Sequence, residues 1–273
     1  MPNLDRPAPR LDIFLLGLVD FDSLLALQEQ AWAQLRSARN NADPRGVVFL
    51  CEHPLELTMG REASAEELAV SEAELRAWSI RSRWLARGGG AILHGPGQLA
   101  ATAIVPLDTW GWSGGELRQR LESAIVDLLA EQGIPATIRP ESPGVWTRGG
   151  LVAQTGLAVR DGVSQFGIYL NVSPRMDLQR FIQSSPAPRS DLPEPVESSP
   201  PPAESPPDAA ESLSPLRRWR LTSVAAERQR VVSMSSIREG IVRHLARQFG
   251  ASDYHVFTGH PQLRRMTPMV DHA

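Results

Sequence analysis

The residues best suited to chemistry lie in one glycine-rich segment, residues 87–98, with the sequence RGGGAILHGPGQ. Its five glycines and one proline give a backbone that a ligand can approach closely. Arg87 begins the segment and His94 lies near its end, so a cation and an imidazole accompany the glycines. The glycine spacing differs from that of a dinucleotide-binding fingerprint. Composition alone leaves open the alternative of an ordinary glycine-rich surface loop.

Composition excludes several other chemistries. All 28 basic residues of this 273-residue chain are arginine, and Cys51 is its only cysteine. A lysine Schiff base, a P-loop lysine, a disulfide within the chain and a cysteine-rich zinc site are therefore excluded. A formal charge of −3 argues against a general affinity for nucleic acid, which needs a clustered basic face. One thiol fits a reducing, cytoplasmic compartment.

Metal binding and membrane insertion are not expected either. His244 is predicted on the polar side of a helix, and His255, His260 and His272 fall in the C-terminal tail without metal-ligand spacing. No apolar run reaches the roughly 18 residues that cross a bilayer. The N-terminal sequence shows no signal-peptide pattern, which again favours the cytoplasm.

Hydrophobic patterning predicts an α/β protein of the α+β or mixed-sheet type. Apolar runs indicate strands at 11–19, 46–52, 99–107, 145–146, 151–159 and 165–172. Helical spacing predicts helices at 23–39, 64–77, 115–132 and 233–249. Ser71 and Glu74 form a capping-box pattern, and Asp161-Gly162 is a hairpin-turn signal. The last 20 residues are predicted to be irregular.

Composition changes sharply between residues 184 and 215. These 32 residues contain ten prolines, six acidic residues and one arginine, a net charge of −5. Such a segment buries too little apolar surface to offset its ordering entropy. We therefore predict a disordered insertion at 184–215, interpreted as a solvated tether. Residues 1–183 and 216–273 would together form one domain.

The glycine-rich segment resembles the RGG-x-x-x-x-HGPGQ signature of the octanoyltransferases of lipoate biosynthesis, the lipoate-protein ligase B family. Further segments resemble the EHP, T-x-GR, PGVW, G-x-R-V, HG-x-ALN-V and MTSLA motifs of this family, and they lie at residues 52–54, 58–61, 143–146, 156–159, 166–172 and 221–225. Similarity therefore extends over nearly the whole chain outside the proline-rich segment.

The resemblance implies the fold of biotin and lipoate protein ligases, a mixed sheet with flanking helices. It also implies transfer of an octanoyl group from acyl carrier protein to a lysine of a lipoyl domain, without a cofactor. Such transfer proceeds through a thioester on a cysteine beside a lysine, whose ammonium lowers the thiol pKa. The implied acyl- or substrate-binding residues are Arg87, Gly88, Gly89, His94, Gly95, Pro96, Gly97, Gln98, Gly156, Gly167 and Asn171.

The reacting positions depart from the family pattern. Leu151 occupies the position of the family lysine, and Ser185 occupies that of the cysteine. Phe166 replaces the histidine of HG-x-ALN, and Ile92 and Leu93 replace the threonine and the aromatic residue before HGPGQ. These changes replace polar or ionisable residues of the implied reacting centre, in most cases with apolar ones.

Three hypotheses follow. The leading one is a catalytically degenerate family member that binds an acylated carrier protein or a lipoyl domain. The second is a working acyltransferase with an unconventional nucleophile, either Ser185 assisted by His94 or Cys51, although Cys51 is better interpreted as a core residue. An ATP-dependent ligase ranks last, because related ligases use a lysine that this chain lacks.

Overall fold

A computed structural model describes residues 8–38, 44–64, 68–139, 142–179, 181 and 220–263. Its strands are β1 (Arg10–Leu18), β2 (Arg45–Glu52), β3 (Glu56–Met59), β4 (Arg81–Trp84), β5 (Ala91–His94), β6 (Gln98–Ile104), β7 (Thr137–Arg139), β8 (Ser142–Thr147), β9 (Gly150–Arg160), β10 (Val163–Asn171) and β11 (Asp253–Thr258). Its helices are α1 (Phe21–Ala38), α2 (Glu72–Ala77), α3 (Leu107–Trp110), α4 (Gly114–Glu131), α5 (Met176–Gln179), α6 (Val224–Arg228) and α7 (Met234–Phe249).

The strands form two sheets. The larger has the order β11-β1-β2-β6-β10-β9-β8-β7, and β1 runs parallel to both of its neighbours while the other pairs are antiparallel. The smaller has the order β4-β3-β5. The prediction of an α/β class with a mixed sheet and flanking helices is confirmed.

The larger sheet is covered on both faces, which explains why β2 is apolar throughout. Val48 and Leu50 face a core built with α4 and α7, whereas Val47 and Phe49 face a core built with α1. Successive side chains of a strand point to opposite faces, so a strand between two helical layers needs apolar residues at every position. A third apolar cluster joins α2 to the smaller sheet.

The helix starts follow the capping pattern of the sequence. Ser71 and Glu74 form a capping box at α2, and Ser113 and Glu116 form another at α4. The helix predicted over 64–77 was too long, because its described part begins only at Glu72, directly after the Ser71 cap.

Three further expectations need correction or lie outside the described residues. The tail is not irregular throughout, because β11 adds a parallel strand beside β1. His244 is buried rather than on a polar face, with Nε2 lying 3.0 Å from a carboxylate oxygen of Glu131. The segment predicted as an insertion, 184–215, and the tail after residue 263 lie outside the described residues, so the predicted domain boundaries stay a prediction. In the described part of the chain, no helix has the length and hydropathy of a membrane span.

Two helical glycines provide a matched test of the packing between α4 and α7. A methyl group on Gly240 would lie 2.5 Å from Leu128 Cδ1, whereas one on Gly115 meets only its own cap at 3.7 Å. Alanine favours a helix over glycine by about 0.5–1 kcal/mol at both positions, so the difference isolates packing. We predict that Gly240→Ala lowers the free energy of unfolding by about 1–3 kcal/mol and that Gly115→Ala does not lower it. Urea denaturation checks this, and equal stability of the two variants would contradict the packing described.

Candidate functional site

Arg87 is the largest fully buried side chain of the described residues. Its Nη2 donates to the Thr58 carbonyl oxygen at 3.0 Å and to Thr58 Oγ1 at 2.8 Å, and its Nη1 donates to the Gly88 carbonyl oxygen at 3.0 Å. A buried guanidinium is costly unless its N–H groups meet acceptors. Arg87 therefore joins the glycine-rich segment to β3 as part of the scaffold.

The hydrogen bonds of His94 define its tautomer. Gln98 Nε2 donates to the Leu93 carbonyl oxygen at 3.2 Å, so Gln98 Oε1, which lies 2.8 Å from His94 Nδ1, is an acceptor. Nδ1 therefore carries the proton, and Nε2 accepts from the Thr58 hydroxyl at 2.8 Å. Burial, together with the charges of His53 and Arg87, holds the pKa of His94 well below its usual value. Because both ring nitrogens are engaged, this geometry argues against His94 as a general base.

The same network continues into the larger sheet. Gln98 Nε2 also donates to Asn171 Oδ1 at 3.0 Å, and Asn171 Nδ2 donates to the Thr222 carbonyl oxygen at 3.2 Å. One line of hydrogen bonds thus connects Arg87, Thr58, His94, Gln98 and Asn171 and ends on the segment before α6. It unites four segments that are far apart in the sequence.

Several motif glycines allow close packing around this network. A Cβ on Gly156 would lie 2.9 Å from the Gly88 carbonyl oxygen and 3.0 Å from Arg87 Cδ. A Cβ on Gly167 would lie 1.9 Å from the Ala101 carbonyl oxygen of β6. Contacts within the protein therefore explain why both positions are glycine. Their expected contact with an acyl group stays a prediction.

The loop between β5 and β6 is hydrogen-bonded to the Glu52 carboxylate at the end of β2. Glu52 Oε2 accepts from the Gly97 N–H at 2.8 Å, and Oε1 pairs with Arg238 of α7 at 2.5 Å. Gly97 has φ +88°, and a Cβ there would lie 2.4 Å from the Ser173 carbonyl oxygen.

Gly95 is buried, while Pro96 is exposed at the tip of the loop. The glycine backbone of 88–90 is half-buried and gives a ligand partial access.

Leu151, at the position of the family lysine, is 3% exposed on β9. Its N–H donates to the Arg220 carbonyl oxygen at 2.9 Å, and its own carbonyl accepts from the Thr222 N–H at 3.0 Å. A Cβ on Gly144 would lie 2.8 Å from Leu151 Cδ1, so this side chain fills space beside the PGVW segment. Ser185, at the position of the family cysteine, lies outside the described residues.

Cys51 is a buried thiol in the core beneath α1. His53 Nδ1 donates to the Val19 carbonyl oxygen at 2.6 Å, so Nε2, which lies 3.6 Å from Cys51 Sγ, accepts from the thiol. Burial raises the pKa of Cys51 to about 12 and lowers that of His53 to about 4. A neutral thiol next to a neutral imidazole supports the prediction that Cys51 is a core residue rather than a nucleophile.

The remaining departures from the family pattern lie in the core. Ile92 and Leu93 are each 2% exposed on β5. Phe166 is 5% exposed and adopts φ +63°, with its N–H donated to Gln28 Oε1 at 2.9 Å. An aromatic residue in this left-handed region is strained, so the backbone at the family histidine keeps an unusual shape although the imidazole is absent.

The described fold matches that of solved lipoate protein ligases. A bipartite archaeal lipoate protein ligase from Thermoplasma acidophilum, studied with its E2 lipoyl domain, superposes with a TM-score of 0.59 at 17% identity, covering 93% of this chain and 88% of the other. At that identity the likeness concerns the fold alone, and it agrees with the lipoate ligase-like fold expected from the motifs.

The sequence comparisons define the family. The family model described as the lipoyl protein ligase A/B catalytic domain matches residues 21–246, and the chain belongs to this family. An octanoyltransferase of Roseiflexus sp. RS-1 is 31% identical over 242 residues, which cover 88% of this chain and 87% of that protein. An octanoyltransferase of Pseudomonas fluorescens Pf-5 is 35% identical over 160 residues, which cover 58% of this chain and 71% of that protein. The resemblance inferred from the motifs is thereby confirmed.

Two network members were missed in the expected site. Thr58 lies at the centre of the network, and the sequence indicates it only as the threonine of the T-x-GR motif. Gln179 donates to the Leu93 carbonyl oxygen at 2.9 Å. Thr58 and His94 come together because β3 pairs with β5, and no local pattern in the sequence indicates that pairing.

A matched pair of buried threonines tests this network. The Thr58 hydroxyl accepts from Arg87 and donates to His94. The Thr102 hydroxyl is equally buried and has no hydrogen-bond partner among the described residues. We predict that Thr58→Val lowers the free energy of unfolding by about 2–4 kcal/mol, because it leaves buried partners unsatisfied. Thr102→Val should change it by less than about 0.5 kcal/mol or stabilise the protein. Urea denaturation measures both, and similar losses would contradict the central role of Thr58.

The buried His53 predicts loss of stability in acid. Its pKa falls from 6.5 in the unfolded chain to about 4 in the folded one, so the unfolded state binds more protons between these values. Stability is therefore complete above pH 6.5 and declines as the pH falls towards 4, by on the order of 3 kcal/mol from His53. Unfolding midpoints at pH 7.5 and 5 should differ less in His53→Gln than in the parent. The exposed control His255→Gln should keep the parent difference, and an unchanged difference in His53→Gln would refute the assignment.

Proposed function

We propose that this chain is a protein of the lipoylation system that binds the octanoylated acyl carrier protein or the lipoyl domain without transferring the acyl group through a thioester. The single observation that carries the proposal is the residue at the position of the family lysine, a buried Leu151 in a chain that has no lysine. A leucine can neither lower the pKa of a thiol nor accept a proton.

The other candidate groups do not replace the missing pair. The hydroxyl of Ser185 needs a general base to become a nucleophile near pH 7. His94 is a poor base, because Thr58 and Gln98 engage its two nitrogens and its pKa is lowered. Cys51 is fully buried, and its pKa of about 12 keeps it protonated.

Binding, in contrast, is supported by what the site retains. The hydrogen bonds from Arg87 through His94 to Asn171 hold the glycine segment and the HGPGQ loop in a defined shape. The Gly88 N–H and the carbonyl groups of residues 88–90 bond within the protein and hold the segment in place. These glycines are half-buried and carry no side chains, so an acyl thioester or a lipoyl arm can approach the backbone there. The relatives named octanoyltransferase, and the lipoyl domain studied with the archaeal ligase, indicate which carriers to test.

Intact-protein mass spectrometry separates this proposal from the alternative of an active transferase with a non-standard nucleophile. After incubation with octanoyl acyl carrier protein, we predict no octanoyl adduct on the parent chain. An adduct that disappears in Ser185→Ala would instead establish Ser185 as the nucleophile. An adduct on Cys51 would contradict both the proposal and the burial described.

Calorimetry with octanoyl acyl carrier protein and with an apo lipoyl domain tests the binding itself. We predict saturable binding to at least one of them that weakens about tenfold or more in Gly88→Trp. A Cβ at Gly88 would meet the Leu157 carbonyl oxygen at 3.4 Å and Glu62 Oε1 at 3.7 Å, both ordinary contacts, so the added bulk covers the approach to the loop. Gly115→Trp adds the same bulk on the exposed side of α4 and should bind like the parent. No binding of either carrier, or equal affinities in both variants, would refute the proposal.

A further inference from the structure

The outer edge of the larger sheet concentrates exposed apolar surface. Eight large apolar side chains are exposed among the described residues, and four of them belong to β11 or to the end of β1 beside it. They are Leu18, Tyr254, Val256 and Phe257, with 40–49% of each exposed. Leu18, Tyr254 and Val256 line one groove, whereas Phe257 stacks on Phe14 on the other face of the sheet. Single exposed apolar residues are ordinary, but a group lining one groove at a sheet edge indicates an interaction surface.

An apolar groove runs along this edge. It measures about 720 Å³ and lies between α7 and the strands β1 and β11. Leu15, Leu16, Val242, Tyr254 and Val256 supply its apolar lining, and charged side chains of α7 form its rim. Natural sheet edges usually carry a proline, a bulge or an unpaired inward charge that prevents pairing. β11 has neither proline nor bulge, and its Asp253 is paired with Arg10 at 2.8 Å.

The backbone of β11 fixes which residues are available for pairing. β11 is parallel to β1, with Arg10 opposite Asp253 and Leu15 opposite Thr258. The Gly259 N–H donates to the Leu15 carbonyl oxygen at 2.8 Å. Alternation along a strand then directs the N–H and carbonyl groups of the odd-numbered residues towards β1. Those of Tyr254, Val256 and Thr258 point away from the sheet.

We propose that β11 pairs antiparallel with β11 of a second copy of this chain, about a two-fold axis at Val256. This register places Val256 opposite Val256 and Tyr254 opposite Thr258, so the outward groups of both copies form about six hydrogen bonds. The same three residues line the groove, and their side chains therefore close it from both copies. A two-fold pairing uses one self-complementary surface, as most homodimers do.

Charge supports a second copy as the occupant. The rim of the groove carries Glu239 and Arg243 on α7, with 80% and 49% of their side chains exposed. The two pair with each other at 3.3 Å within one chain, and Arg243 also pairs with Glu131 at 3.0 Å. The two-fold axis sets the α7 helices of the two copies antiparallel on the same face of the joined sheet. Such exposed pairs suit a helix facing its own copy, because each glutamate can add a contact to the other copy's arginine and no like charges need to meet. The pairing is independent of the proposed binding function.

Sedimentation velocity on the full chain tests the pairing. We predict a species of twice the 29.9 kDa chain mass at micromolar concentrations. Val256→Lys should weaken the dimer at least tenfold by placing two charges together at the axis. Val231→Lys, at a residue that is 95% exposed elsewhere, should leave it unchanged. A parent that remains monomeric at 100 µM, or a Val256→Lys protein that remains fully dimeric, would overturn the proposal.

Val256→Pro provides a second test, because it removes an N–H that points outward and keeps the bonds between β11 and β1. We predict a monomer with the thermal unfolding midpoint of the Val231→Lys protein, measured at a concentration where both are monomeric. A Val256→Pro protein that dimerises like the parent would show that the contact does not use this strand.

Discussion

The buried guanidinium of Arg87 is the interaction on which the site depends. A cation removed from water must be surrounded by acceptors, and here they are the Thr58 hydroxyl and two backbone carbonyl groups. That requirement brings β3 and the glycine segment together and leaves room for nothing larger than glycine at positions 60 and 156. The Thr58 hydroxyl also donates to His94. The hydrogen bonds then continue from His94 through Gln98 to Asn171 in the larger sheet.

This arrangement separates the scaffold from the reacting position. Leu151 lies on β9 and bonds through its backbone to Arg220 and Thr222, and Thr222 is also where the hydrogen bonds from Arg87 through Asn171 end. The side chain at position 151 takes no part in those hydrogen bonds. A lysine at position 151 can therefore be lost while the loops keep their shape. The fold of a lipoyl protein ligase A/B family member is then kept, and under the proposed function a surface for its carriers is kept without the family's thioester chemistry.

Long elements could be predicted from the sequence, because α1, α4, α7 and the strands β1, β2, β6, β9 and β10 carry complete hydrophobic periods. The smaller sheet and β11 could not, since strands of four to six residues show too few periods, and β11 is exposed at all six positions. The motifs identified the family correctly, whereas the site residues they indicate stay a prediction. The engagement of both His94 nitrogens could not be predicted, because it depends on the pairing of β3 with β5 and on the orientation of the Gln98 amide.

The central claim is that this chain keeps the family's scaffold without its transfer chemistry. The most direct measurement is lipoylation of E2 proteins in a bacterial strain that lacks its own octanoyltransferase and has no exogenous lipoate, with an active family member as the positive control. We predict that the soluble, expressed chain supports neither growth nor lipoylation, whereas the control supports both. Growth with lipoylated E2 proteins would contradict the account and would require a nucleophile other than the family cysteine.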